Sequence, residues 1–263
     1  MKIEKYDKNG IKLSYAVMGT GKRIMVMLPG MALHSIMMFA AGVEKACESL
    51  LHDYTIYLFE RRDVLNPGMS AEDMAEDVAV ILNDLGIKDI YIFGASQGGM
   101  MAQALAANHP ELVKCAIFAS TLATHNEVSR KFFSKMNELC KSEDIRAINK
   151  YFFENVYSKD YQEKNRAAIE KTLDFGTAEG AKRLLVMSES CLNFEFEDRL
   201  GDIKCPVLVI GAVNDRVMDP IGSRKLAQKL GCEIYIYPTE AHAAYDEASD
   251  YKQRIKAFFD SIE

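Results

Sequence analysis

Short apolar runs alternating with helical patterns constrain this chain more than any other feature. The runs span residues 24–28, 55–59, 90–93, 113–118, 207–210 and 232–237. Several are apolar throughout, as strands covered on both faces of a parallel sheet must be. Helical spacing lies between them: Met74, Val78, Ile81, Leu82 and Leu85 mark one face, with Ser70 and Asp73 as an N-terminal capping pair and Gly86 as the stop. Tyr251, Ile255, Phe258, Phe259 and Ile262 mark another near the C-terminus. Right-handed crossovers then predict an open α/β sheet. Ahead of it, β-compatible runs at 2–6 and 11–17 flank Asn9-Gly10, the strongest short hairpin signal.

One interval breaks the alternation. From about 122 to 198 helical patterns follow one another without a strand signal, through Phe132/Met136/Leu139, Ile145/Ile148/Phe152/Val156 and Ala181/Leu184/Leu185/Ser188/Leu192. The expected organisation is a core of residues 1–122 and 199–263, with 123–198 inserted as a helical cap. With 263 residues, roughly three quarters of the unfolded surface can be buried, which suits one large domain carrying one insertion.

Charge excludes some partners. The chain carries 38 acidic and 32 Lys/Arg side chains, a net −6, with no basic stripe, so nucleic acid is not expected. Residues 1–15 are charged and lack the apolar core of a secretory signal, and no window suits a membrane span. The six cysteines show no metal-like or C-x-x-C spacing. A reducing cytoplasm, no membrane partner and a monomer or homodimer are the expectations.

The sharpest motif is Gly94-Ala95-Ser96-Gln97-Gly98-Gly99, directly after the 90–93 run and before a helical stretch. A strand, a tight turn and a helix are the context in which G-x-S-x-G carries chemistry. The glycines admit a turn too sharp for side chains, and Ser96 projects where helix N-terminal N–H groups can meet an oxyanion. A dinucleotide fingerprint would need glycine at position 96 and an earlier strand. Gly19-Thr20-Gly21-Lys22 lacks the spacer and the hydroxyl residue of a P-loop.

A serine needs a base, and the base an orienting acid. Among His34, His52, His109, His125 and His242, only His242 sits in a loop shortly after the last strand, at the sheet edge where ligands collect. The loop after 207–210 offers Asp215 near the strand end and Asp219 before Pro220, where helix capping explains the second. Asp215 is therefore the expected acid.

With the order Ser96, Asp215, His242, the sequence resembles the α/β-hydrolase superfamily over essentially its whole length. The resemblance implies a mostly parallel eight-stranded sheet with an N-terminal hairpin, helices on both faces and an inserted cap. It implies an oxyanion hole from the N–H groups of Met31 and Gln97, with no metal or organic cofactor. Pro29 stands where relatives often carry His, and Glu60-Arg61-Arg62 departs from their Asp-x-Arg-Gly pattern. The second departure reads as drift away from the reaction centre.

The implied reaction is acyl transfer from a small ester or thioester to water. C–C bond hydrolysis, proline iminopeptidase action, perhydrolysis and a non-catalytic receptor role stay open. An iminopeptidase would need cap carboxylates for an ammonium, with Glu189, Glu195 and Glu197 the candidates. Met37, Met38, Phe39 and Met100 flank the two turns and are expected to line an apolar acyl pocket poor in fixed charge.

Overall fold

The computed structural model describes residues 1–262. Its strands are β1 (Lys2–Lys8), β2 (Ile11–Met18), β3 (Arg23–Leu28), β4 (Tyr54–Phe59), β5 (Ile90–Ala95), β6 (Val113–Ala119), β7 (Val207–Ala212) and β8 (Glu233–Tyr237). They form one sheet in the order β1-β2-β4-β3-β5-β6-β7-β8. Both pairings of β2 are antiparallel, and every other pairing is parallel. At the hairpin, Lys8 pairs with Ile11 across Asn9 and Gly10, both at positive φ (55° and 72°). Such φ values suit a turn that follows the strands' own twist.

The helices are α1 (Ala40–Ala46), α2 (Ala71–Asp84), α3 (Gln97–Asn108), α4 (Glu127–Ser142), α5 (Ile145–Val156), α6 (Lys159–Lys164), α7 (Arg166–Thr172), α8 (Ala178–Leu192), α9 (Pro220–Leu230), α10 (Ala244–Glu247) and α11 (Tyr251–Asp260). Two apolar cores, one on each face, cover the sheet; α2 and α3 pack into one, α11 into the other. β5 and β7 are buried at every position, which explains their unbroken apolar sequence. The edge strand β1 buries only Tyr6.

Local chemistry explains the boundaries. Ser70 and Asp73 form a reciprocal capping box on α2, with Asp73 N–H donating to Ser70 Oγ at 3.0 Å and Ser70 N–H to Asp73 Oδ2 at 2.8 Å. Leu85, expected on the apolar face of α2, is instead exposed beyond the helix end. The Cys232 N–H closes α9 on the Ala227 carbonyl (3.1 Å), so β8 starts one residue later than the apolar run suggests. Between β6 and β7 lie α4 to α8 and no strand. Of these, α6 and α7 bury no residue and carry no clear apolar spacing in the sequence.

Candidate active site

Central strand β5 runs into Ser96, and α3 starts at the next residue. Ser96 holds φ 56° and ψ −120°, a conformation that costs a residue with a Cβ about 1–3 kcal/mol. Surrounding bonds enforce it: Ser96 N–H donates to the Ala119 carbonyl (2.9 Å), and Thr121 Oγ1 donates to the Ser96 carbonyl (2.9 Å). The flanking glycines are steric necessities. A Cβ on Gly94 would lie 2.3 Å from the Gly98 carbonyl oxygen, and one on Gly98 would lie 1.9 Å from that of Leu28.

The segment after β3 passes directly over the serine. A Cβ on Gly30 would stand 3.2 Å from Ser96 Cβ and 3.7 Å from Oγ. Met31 and Gln97, the expected oxyanion donors, thus belong to the two segments that border Ser96, and both are buried.

The acid and the base meet. His242 Nδ1 lies 2.9 Å from Asp215 Oδ2, with both side chains buried. The other oxygen, Oδ1, accepts the N–H groups of Val217 (2.8 Å) and Met218 (2.9 Å). A carboxylate oxygen accepts, so Nδ1 donates to it, and Nε2 is the ring nitrogen that Asp215 leaves free. Ser96 Oγ and the imidazole make no direct hydrogen bond in this structure; such contacts are often long before substrate binds. Asp219 caps α9 through the Ile221 N–H (2.9 Å).

The helical segment between β6 and β7 is fastened to both loops. Arg216 donates to the carbonyls of Glu154 (2.6 Å) and Tyr157 (2.8 Å), and Ala243 N–H donates to that of Val156 (3.0 Å). Both tethers neighbour a residue of the Asp215–His242 pair in sequence.

The expected pocket residues scatter. Met38 and Phe39 are 60% and 49% exposed, because a 3₁₀ turn capped by Ser35 carries 36–39 round to the surface. Met100 is packed wholly within the interior on α3, and Met37 is half-buried against the α11-side core. Glu189, Glu195 and Glu197 face Lys141 (3.8 Å), Arg130 (2.7 Å) and Lys229 (2.6 Å) on the surface.

The Glu60-Arg61-Arg62 departure, expected to lie away from the reaction centre, instead reaches the segments beside Ser96. Arg61 is buried and its Nη2 donates to Gln97 Oε1 (2.8 Å) and to the Pro29 carbonyl, bracing both segments beside Ser96. Gln97 Nε2 continues the network to Ser190 Oγ (2.8 Å) and the Met187 carbonyl (3.0 Å) on α8. Next to it, Glu60 accepts the N–H groups of Ile36 and Arg61 (both 2.7 Å) and the guanidinium of Arg183 (3.1 Å). Burial pushes the Glu60 carboxyl up, but Arg61 and Arg183 beside it hold it below its ordinary range. Burial lowers Arg61 to about 10, which leaves it cationic at neutral pH. The signal in the sequence is position: Arg61 stands two residues past the C-terminal end of β4, on the sheet edge that gathers ligands.

Comparison with known proteins agrees with this architecture. A putative carbamate hydrolase RutD of Serratia proteamaculans is 27% identical over 165 residues, 62% of each chain. The Rhizobium rhizogenes protein of the same name is 24% identical over 80% of this chain and 84% of its own. Among solved structures, MGS-M2, an alpha/beta hydrolase enzyme from a Medee basin deep-sea metagenome library, superposes with a TM-score of 0.84. It covers 97% of both chains at 21% identity. The sequence profile of the alpha/beta hydrolase fold matches residues 45–249. The chain belongs to the alpha/beta hydrolase family.

Proposed function

We propose that this hydrolase is a serine enzyme that cleaves a small ester or thioester through an acyl-enzyme. The observation that carries the reading is the buried Asp215–His242 hydrogen bond at the sheet edge that also presents Ser96 on its strained turn. Ser96 Oγ attacks the carbonyl carbon as His242 Nε2 takes its proton. Asp215 holds the imidazole's tautomer and stabilises the imidazolium. The N–H groups of Met31 and Gln97 receive the oxyanion. Collapse of the tetrahedral intermediate breaks the bond to the leaving group, which takes the proton from His242. Water, deprotonated by the same imidazole, then releases the acid and restores Ser96. No step in this sequence calls on a metal or an organic cofactor.

A carbamate is the second substrate class, favoured by the name that the matched relatives carry. Its carbonyl would be attacked by the same steps, with an amine or alcohol leaving.

The test is labelling with a fluorophosphonate, peptide mass mapping, and multiple-turnover hydrolysis of p-nitrophenyl esters and an aryl carbamate. A single adduct on Ser96 with turnover of either class is expected. A protein that stays unlabelled and turns over neither overturns the proposal.

A further inference from the structure

Close approach to Ser96 restricts position 30 to glycine, because a Cβ there would stand 3.2 Å from Ser96 Cβ. The same lack of a Cβ leaves the backbone leading to the Met31 N–H weakly determined by its own sequence. Donors stabilise an oxyanion well only when they are fixed before the charge develops, so this segment needs restraint from outside. The end of β4 supplies it. Arg61 Nη2 donates to the Pro29 carbonyl, and the Glu60 carboxylate accepts the Ile36 N–H at 2.7 Å. Two consecutive residues thus hold the segment 29–36 at both ends, with Met31 between them.

The same nitrogen of Arg61 reaches the other side of Ser96. Nη2 also donates to Gln97 Oε1 at 2.8 Å, and Gln97 Nε2 extends the network to Ser190 Oγ (2.8 Å) and the Met187 carbonyl (3.0 Å) on α8. Among the described residues, the backbone N–H groups of Met31 and Gln97 donate to no protein acceptor. One guanidinium nitrogen therefore ties together two segments that each carry a free backbone donor beside Ser96. Charge does not explain the side chain. The adjacent Glu60 carboxylate meets its charge, yet both hydrogen bonds of the guanidinium go to the two segments. A buried ion pair is often no more stabilising than packed apolar side chains of the same volume, so what Arg61 contributes is geometry.

We propose that Arg61 is a positioning residue, which holds the N–H groups of Met31 and Gln97 at the spacing where both reach the oxyanion. The proposal rests on the serine-hydrolase reading and adds to it a side chain that touches no reacting atom. A misplacement of about 1 Å in such a site costs on the order of 100-fold in rate. Because the oxyanion exists only beyond the ground state, the loss belongs in kcat and not in substrate binding.

The test replaces Arg61 by Met, which removes the donors, and by Lys, which keeps a cation beside Glu60. Each variant is assayed with a p-nitrophenyl ester and with two inhibitors of one skeleton, a trifluoromethyl ketone and the matching methyl ketone. Ser96 Oγ bonds to the carbonyl carbon of the fluoroketone, its proton passes to His242, and the carbonyl π pair becomes an oxyanion. The methyl ketone binds without that step. In Arg61→Met, kcat should fall by about 10- to 100-fold while KM stays within about threefold. The inhibition constant of the fluoroketone should rise by the factor that kcat loses, and that of the methyl ketone should hold. Arg61→Lys, with a shorter reach and no fork, should show the same pattern more weakly. Unchanged kcat in both variants overturns the positioning role, and so does an equal loss for both ketones. A merely structural role lowers the melting temperature and leaves the ratio of the two inhibition constants where it was. Should Arg61→Met not fold, the ratio in Arg61→Lys decides. A wild type that hydrolyses no ester and takes no fluorophosphonate overturns the serine-hydrolase reading and this proposal with it. A wild type that does both, with an unchanged ketone ratio in the variants, overturns the positioning role alone.

Discussion

Asp215 gives one carboxylate oxygen to His242 Nδ1 at 2.9 Å and the other to the N–H groups of Val217 and Met218. The acid is thus locked by backbone on one side and orients a buried imidazole with the other. A buried Asp–His pair is often no more stabilising than packed hydrophobic side chains of the same volume.

This geometry separates the two acids of the loop. Asp215→Asn presents an amide to Nδ1, favours the wrong tautomer and should lower kcat by about 10⁴-fold. Asp219→Asn should keep most activity, because Asn caps a helix as well as Asp and tolerates the φ of 66° found there. Steady-state kinetics on purified variants decide it; the reverse ranking would show that the acid is Asp219.

Strain at Ser96 can be read from stability. Ser96→Ala should abolish at least 10⁴-fold of kcat and keep the strained backbone. Ser96→Gly should be equally inactive yet more stable than Ser96→Ala by about 1 kcal/mol, because glycine adopts φ 56° without a Cβ clash. Urea melts of the two variants give the difference. Equal midpoints would mean that the turn stores no strain.

Glycines near and far from the turn should behave oppositely. Gly98→Ala places a methyl 1.9 Å from Leu28 O and 2.6 Å from Pro29 O, so the segment after β3 must move. A loss of about 1–3 kcal/mol is expected, with a clear drop in kcat. Gly42→Ala, in α1 with open space around it, should stabilise by about 0.5–1 kcal/mol. Thermal melts and ester turnover on both variants check this.

His125 predicts a pH dependence of stability. Its Nε2 meets the Cys191 carbonyl at 2.7 Å, its Nδ1 faces Ser129 Oγ at 2.9 Å, and burial holds it below its ordinary 6.5. A histidine with a lowered folded pKa binds fewer protons folded than unfolded. Its contribution is therefore complete above about pH 6.5 and declines as pH falls through that value towards the folded pKa. Melting temperature should drop between pH 7 and 5 more steeply in the wild type than in His125→Gln. Identical slopes would remove His125 as the cause.

The amino-acid sequence alone determined the sheet, because unbroken apolar runs and helical spacing are local, periodic signals. The Ser70 capping box, the Asn9-Gly10 turn and the strand–serine–helix elbow are equally local, and each lies where its residues point. Ser96, Asp215 and His242 could be singled out because each follows a strand end, and open α/β sheets collect their ligands there. Tertiary structure decided what those loops touch. Met38 and Phe39 are close in sequence to the Pro29–Met31 segment but are carried to the surface by one 3₁₀ turn. Arg61, distant in sequence from both Pro29 and Gln97, is folded against them by the exchange of β3 and β4 in the sheet order. Periodicity reports whether a side chain faces inward. Which partner it meets there depends on strand order and loop path, and no residue encodes these by itself.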